Sequence, residues 1–197
     1  MNKLFKYQGI HLLAYIIIGL SIYYITLKNP SGQGEFWKLS TFDWIIFSWI
    51  FVAMHQGWVL LFWRLELYFG KISSWMGKSG FVIFRIGFII FASLRLLSLL
   101  PISISSSNTL FLPFYIRILL IILTTPLILW VIYSIIRYFS ITRLFGADHF
   151  DPMYREKSLE IRGIFKYIPN SMYTILLLII YHPALLFDSF HGLYVVV

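Results

Sequence analysis

The sequence predicts an all-α, polytopic membrane protein: one transmembrane helix bundle of about five spans, with a short terminal segment that has the character of a sixth span's beginning. Three observations predict it. Of 197 residues, 59% are hydrophobic, 20% aromatic and only 12% charged, more apolar surface than a soluble domain of this length can hide. Several apolar runs reach the ~20 residues that cross a hydrocarbon core roughly 30 Å thick. The basic residues behind the net charge of +8 sit mostly between those runs, where orientation signals and anionic headgroups account for them. That placement argues against nucleic acid as a partner. The length suits one compact bundle, so residues 1–197 are read as a single membrane domain. The chain has no cysteine, which excludes disulfides, thiolate metal sites and cysteine nucleophiles.

The first span is expected at about 9–27. Its basic start resembles a signal peptide, but the apolar stretch is too long and no small-residue cleavage site follows, so it reads as uncleaved. The second span, about 43–63, carries Trp44, Ser48, His55 and Trp58 near one helical stripe, with Trp49 on another face. His55 and Gln56 lie deep in the apolar run, where polar groups are costly unless they face the bundle interior or a wet cavity. They either line a ligand pocket or fix helix packing. Arg64 and Glu66 follow at the rim, where a solvated ion pair or headgroup contact suffices.

The third span, about 81–100, contains Arg85 and Arg95, each near enough to an end to snorkel. Residues 101–113, "PISISSSNTLFLP", read as a loop lying in the membrane interface. The fourth span, about 115–136, holds Thr124-Thr125-Pro126. Pro126 frees a carbonyl one turn back, and threonine hydroxyls can compensate for the kink. The fifth span is expected at 171–187, with a helix break at His182-Pro183. The last stretch, "GLYVVV", covers only about 9 Å. It is either the start of another helix or an end that tucks back into the bundle.

Lys and Arg counts orient the chain. Eleven positions from Lys3 to Lys166 fall on the side of the N-terminus, whereas Lys28 and Lys38 fall opposite, with Arg117 just inside that opposite end. Positive-inside bias puts the N-terminus and the 138–170 segment in the cytoplasm. That segment has the room for polar chemistry beside the membrane. Its Asp148, His149 and Asp151 set oxygen and imidazole ligands close together. No second cluster of ligands completes a site, so the stretch reads as a solvated turn and no metal is expected. The five histidines are scattered, no Ser-His-Asp spacing or paired acids occur, and there is no phosphate loop.

The join "RGIFKYIPNSMYTILLL", 162–178, runs a basic, aromatic stretch directly into apolar sequence. Residues 163–173 resemble a signature of integral-membrane methyltransferases of the isoprenylcysteine carboxyl methyltransferase and phospholipid N-methyltransferase superfamily, Gly-Pro-Tyr-Arg-Tyr-Val-Arg-His-Pro-Met-Tyr or a close variant. Gly163, Tyr167, Met172 and Tyr173 match, and Phe165 and Lys166 are conservative replacements. Asn170 stands where the family usually has histidine, Ser171 replaces proline, and Ile175 stands where a small residue is usual. The region of resemblance is about 137–197.

The resemblance implies S-adenosylmethionine as cofactor, bound at the cytoplasmic end of the last helices, and a membrane lipid or lipidated small molecule as methyl acceptor. Gly163, Tyr167, Asn170, Met172 and Tyr173 would enclose the cofactor. Arg162 and Lys166 would hold its carboxylate or a lipid phosphate, and His55 and Trp58 would line the acceptor tunnel. Aromatic faces suit a sulfonium cation. Methyl transfer requires alignment and exclusion of water more than acid–base groups, so no catalytic residue is singled out. The family's paired glutamates in a final helix have no counterpart here, the pattern expected of a C-terminally truncated copy. The alternative from another class is a non-enzymatic membrane scaffold or lipid-binding subunit. A channel or transporter would need polar residues recurring through several spans.

Overall fold

A computed structural model describes residues 2–29, 33–156, 158 and 161–196. The chain is an all-α bundle. Four helices are long and apolar enough to cross a membrane: Gln8–Lys28 (α1), Thr41–Phe69 (α2), the run Ser79–Ser105 and the run Phe114–Phe139. These make it a membrane protein. Between them lie a short helix, Lys71–Met76 (α3), and a break at Ser98 that divides the third run into Ser79–Leu97 (α4) and Leu99–Ser105 (α5). The fourth run is an α-helix over Phe114–Ser134 (α6) that widens into a π-turn over Ile135–Phe139.

Local chemistry sets the limits of α2. Ser40 caps its start: the Asp43 N–H donates to Ser40 Oγ at 3.1 Å while Asp43 Oδ2 accepts from the Ser40 N–H at 2.9 Å, a reciprocal capping box. Gly70 ends it at φ 58°, ψ 22°, a left-handed conformation in which a side chain would be strained. Glu66 is not a solvated partner of Arg64. It is buried and accepts from the Ser73 N–H at 2.9 Å and from the Ser73 hydroxyl, which ties α3 back onto α2. Arg64 instead donates to the carbonyls of Leu4 and Lys6 at 2.7 and 3.0 Å.

α2 packs on α4 through aromatic rings. Phe84 is fully buried, Trp58 donates to its carbonyl at 3.0 Å, and the Trp58 indole rests on Gly87, where a β-carbon would collide with it. The opposite face of α2 meets α1. Trp49 stacks on Tyr15 with centroids 4.0 Å apart, and the Tyr15 hydroxyl donates to the Trp49 carbonyl at 2.6 Å.

α6 passes through Pro126 without ending. Thr124 and Thr125 donate to the carbonyls of Leu120 and Ile121, each at 2.7 Å, as threonines beside an in-helix proline are expected to do.

The stretch expected as a fifth regular span is built differently. Residues 171–175 are turns, Leu176–Tyr181 is a 3₁₀-helix, and His182–Phe187 (α7) is α-helical. Pro183 offers no N–H, so the ladder cannot run through it, and the α-helix restarts around it. Six residues at ~2.0 Å and six at ~1.5 Å give about 21 Å, short of a ~30 Å core.

The first part of the 101–113 stretch departs from expectation: 101–105 is helical, and Pro101, Ile102, Ser103 and Ser105 are buried. The rest, 106–113, is the expected loop, with Phe111 exposed. The hydroxyls of Ser105 and Ser106 pair with Thr41 and Ser189 at 3.0 and 2.6 Å, which satisfies polar groups away from water. The segment Phe190–Val196 (α8) folds back, and its Tyr194 and Val195 pack on the buried cluster of Ile22, Ile45 and Ile102. A second cluster, Val131, Ile135, Ile164 and Phe165, lies at the other end and seats the 163–176 segment on α6.

Candidate functional site

The second cluster underlies a cleft of about 430 Å³. Trp63 supplies one wall. Phe139 and Arg143, at and just after the wide turn, supply another. Asp148 and His149 come from the four-residue helix Ala147–Phe150, and Asn170, Met172 and Tyr173 come from the join that leads to the last helices.

Backbone geometry delivers these groups. After the π-turn, Ser140 takes φ 77°, ψ 120°, which swings the chain off the α6 axis. Gly146 at φ 75° then turns it back, and the Trp63 indole lies so close that a β-carbon there would approach it to 2.7 Å. Only glycine meets both conditions. The next turn sets His149 parallel to Trp63, ring centroids 4.4 Å apart and 10° from parallel. Arg155 fixes this helical turn from outside, donating to the carbonyls of Asp148 and His149 at 3.0 and 3.4 Å.

Burial lowers the His149 pKa from its ordinary value; Asp148 opposes that and Arg155 reinforces it. The ring is therefore neutral near pH 7. His149 Nδ1 and Trp63 Nε1 are buried and have no hydrogen-bond partner among the described residues. Buried polar atoms of this kind call for a partner, and both belong to residues lining the cleft. Arg143 donates to the Ser158 carbonyl at 2.8 Å and lies 5.8 Å from the Phe139 ring centroid. The cleft thus offers aromatic faces, one guanidinium, one carboxylate and a neutral imidazole.

The residues implied by the resemblance divide. Asn170, Met172 and Tyr173 meet at the cleft, and Tyr173 is 70% exposed, its ring open to a ligand. Gly163 does not face it. At φ 60° it packs on α6, where a β-carbon would lie 2.6 Å from Ser134 Oγ. The close approach that its glycine permits is to protein, and the neighbouring Ile164 N–H donates to the same Ser134 hydroxyl at 3.1 Å. Tyr167 also lies outside the cleft, exposed and 5.8 Å from the Trp130 ring, with Lys166 over its own ring. Arg162 is exposed beside the cleft-lining Ile161 but is not part of the wall.

His55 and Trp58 are placed in the α2–α4 contact rather than at the cleft. The His55 ring meets Phe88 edge-on at 4.9 Å, and both its nitrogens are buried without a partner among the described residues. Sequence reasoning missed Trp63, about one and a half turns beyond Trp58 along α2, and took Asp148 and His149 for a solvated turn, whereas all three line the cleft. No local signal marks Trp63, since the Gly146 and His149 it meets lie in a distant segment.

No protein-family model, no curated protein and no solved structure matches this chain.

Proposed function

We propose that this protein is an S-adenosylmethionine-dependent methyltransferase of the membrane, acting on a lipid or lipidated acceptor. The observation that carries the reading is the convergence of Asn170, Met172 and Tyr173 with Trp63, Asp148 and His149 around one cleft. Its volume lies within the roughly 300–1,000 Å³ typical of small-molecule sites.

The residues present fit the cofactor. Trp63, Phe139 and Tyr173 offer π-faces to a sulfonium. Arg143 suits its carboxylate and Asp148 its ammonium. The unpartnered Trp63 and His149 nitrogens and the Asn170 amide suit hydroxyl and ring-nitrogen groups. The cofactor supplies an electrophilic methyl group with a neutral thioether as leaving group. The protein's own part is to hold the acceptor in line and keep water out. The cleft sits at the end of the bundle that carries Arg64, Lys78, Arg137, Arg143 and Arg155. By the positive-inside rule that end is cytoplasmic, where the cofactor is made available.

The test is calorimetric titration of the purified protein with S-adenosylhomocysteine, repeated on Tyr173→Ala. Saturable heat in the parent and its loss in the variant support the reading; absence of heat in both removes it. A scaffold or lipid-binding subunit is the second reading. It draws support from the packing roles of Gly163, His55 and Trp58, and it predicts no saturable binding.

A further inference from the structure

A second cleft, of about 490 Å³, opens on the other side of the Ala147–Phe150 helix. Gly77 and Lys78 lie on one side of it, Phe81 and Phe150 form apolar walls, and Thr142 and Tyr154 close it. It lies where α2 has ended and α4 begins, the level at which a membrane-crossing helix leaves the hydrocarbon for the headgroups. We propose that this cleft is a binding site for the phosphate of an anionic phospholipid with a hydroxyl-bearing headgroup, a site separate from the cleft that holds Tyr173.

Charge and hydrogen-bonding capacity carry the argument. Among the described residues the single ion pair is Arg117–Asp188, so the Lys78 ammonium has no acidic partner there. Thr142 and Tyr154 line the cleft half-buried, and neither hydroxyl makes a hydrogen bond to the described residues, so both are open to a ligand. Ammonium and hydroxyl donors set at headgroup depth match phosphate oxygens.

The surroundings are basic. Lys71 lies 5.9 Å from the Trp75 ring centroid, and Trp75 is 64% exposed, an aromatic and basic pair suited to the interface. Arg85 lies 5.7 Å from the Phe81 ring centroid. Two carboxylates oppose an anion: Asp151 lines the cleft itself, its Oδ1 accepting from the Met153 N–H at 2.9 Å, and Glu66 close by holds Ser73. The second Asp151 oxygen suits a donor from the headgroup, such as a glycerol hydroxyl. Gly77, at φ 56°, has open space where a β-carbon would stand, so the mouth stays unobstructed.

The test is native mass spectrometry of the full chain released from a neutral detergent, with phosphatidylglycerol or phosphatidylcholine added in equal amounts. Retention of phosphatidylglycerol should exceed that of phosphatidylcholine by about fivefold, the discrimination one lysine gives at an anionic surface. Lys78→Ala and Thr142→Val should each reduce that preference toward parity, while Lys38→Ala, at the far end of the bundle, should leave it. Equal retention of the two lipids, or an undiminished preference in both Lys78→Ala and Thr142→Val, overturns the proposal. Displacement of the lipid by millimolar inorganic phosphate overturns the lipid assignment and marks a site for the soluble anion. A silent calorimetric titration with S-adenosylhomocysteine bears on the Tyr173 cleft alone and leaves this result standing.

Discussion

The indole of Trp63 and the imidazole of His149 lie face to face, 4.4 Å between centroids and 10° from parallel. This contact joins the end of a long membrane helix to a four-residue helical turn that Phe150, packed on Phe81 and Phe84, and the buried Ala147 also hold. Of the cleft's polar residues, Asp148 and His149 ride on that turn.

Loss of that stack should cost ~0.5–1.5 kcal/mol beyond the area buried. His149→Ala should lower the thermal midpoint measured in detergent, and His149→Phe should restore most of it. A midpoint unchanged in His149→Ala would show that the stack anchors nothing.

Acid should act through the same ring. Burial holds the His149 pKa below the ordinary imidazole value of about 6.5. The fold therefore favours the neutral form, and its contribution is complete above that ordinary value and fades as pH falls through the lower folded-state value. His191, fully buried with neither nitrogen partnered among the described residues, titrates with the same sign. Thermal midpoints should fall between pH 7 and 5, and the fall should be shallower in His149→Phe and His191→Phe. A parallel slope in both variants would assign the effect to other groups.

Within the 163–173 stretch, ligand binding should separate residues that the resemblance groups together. Tyr173→Ala should weaken S-adenosylhomocysteine by about tenfold or more, a loss of ~1.4 kcal/mol. Tyr167→Ala should leave affinity within about twofold, because Tyr167 is outside the cleft. Equal losses in the two variants would place the ligand elsewhere.

Gly163→Ala should behave as a folding variant. It puts a β-carbon 2.6 Å from Ser134 Oγ at a positive φ, which should cost ~1–3 kcal/mol. Ser134→Ala should cost ~1–2 kcal/mol by orphaning the Ile164 N–H. Denaturant titration in mixed micelles reads both. A Gly163→Ala protein of parental stability that nevertheless fails to bind ligand would restore the glycine to the site.

At the opposite end, Arg117 pairs with Asp188 at 3.3 Å and donates to the carbonyls of Leu112 and Leu185 at 3.1 and 2.9 Å. Both side chains are largely shielded. Arg117→Ala should destabilise by ~2 kcal/mol in the same denaturant titration, since it leaves a shielded carboxylate unpaired. Asp188→Asn should cost less, because the carbonyl contacts of Arg117 survive it.

The long helices were legible because hydropathy reports which solvent a segment prefers, and α1, α2 and the other two runs each hold an apolar stretch long enough to cross a membrane. The 171–187 segment is equally apolar, yet hydropathy carries nothing about which carbonyl each N–H reaches. The turn at Asn170-Ser171 and the missing donor at Pro183 decided that. The Thr124-Thr125 compensation was visible because it is local. The displacement of Trp58 and His55 from the cleft was not: their stripe fixed a shared face but left open whether that face met Phe84 and Gly87 or a ligand. Asn170, Met172 and Tyr173 were found through the motif, and Trp63 was hidden because its partner lies 86 positions away at His149.

The wide turn at Ile135–Phe139 has a consequence for how this chain tolerates change in length. A π-turn holds one more residue than an α-turn between bonded groups. Deleting one of the five would let the turn close to ordinary α-helical pairing, so the chain beyond it would keep its direction about the helix axis. Outside the turn a deletion has no such slack and would rotate everything after it by about 100°. A one-residue gap between relatives of this protein should therefore fall within 135–139 sooner than elsewhere between Val131 and Gly146.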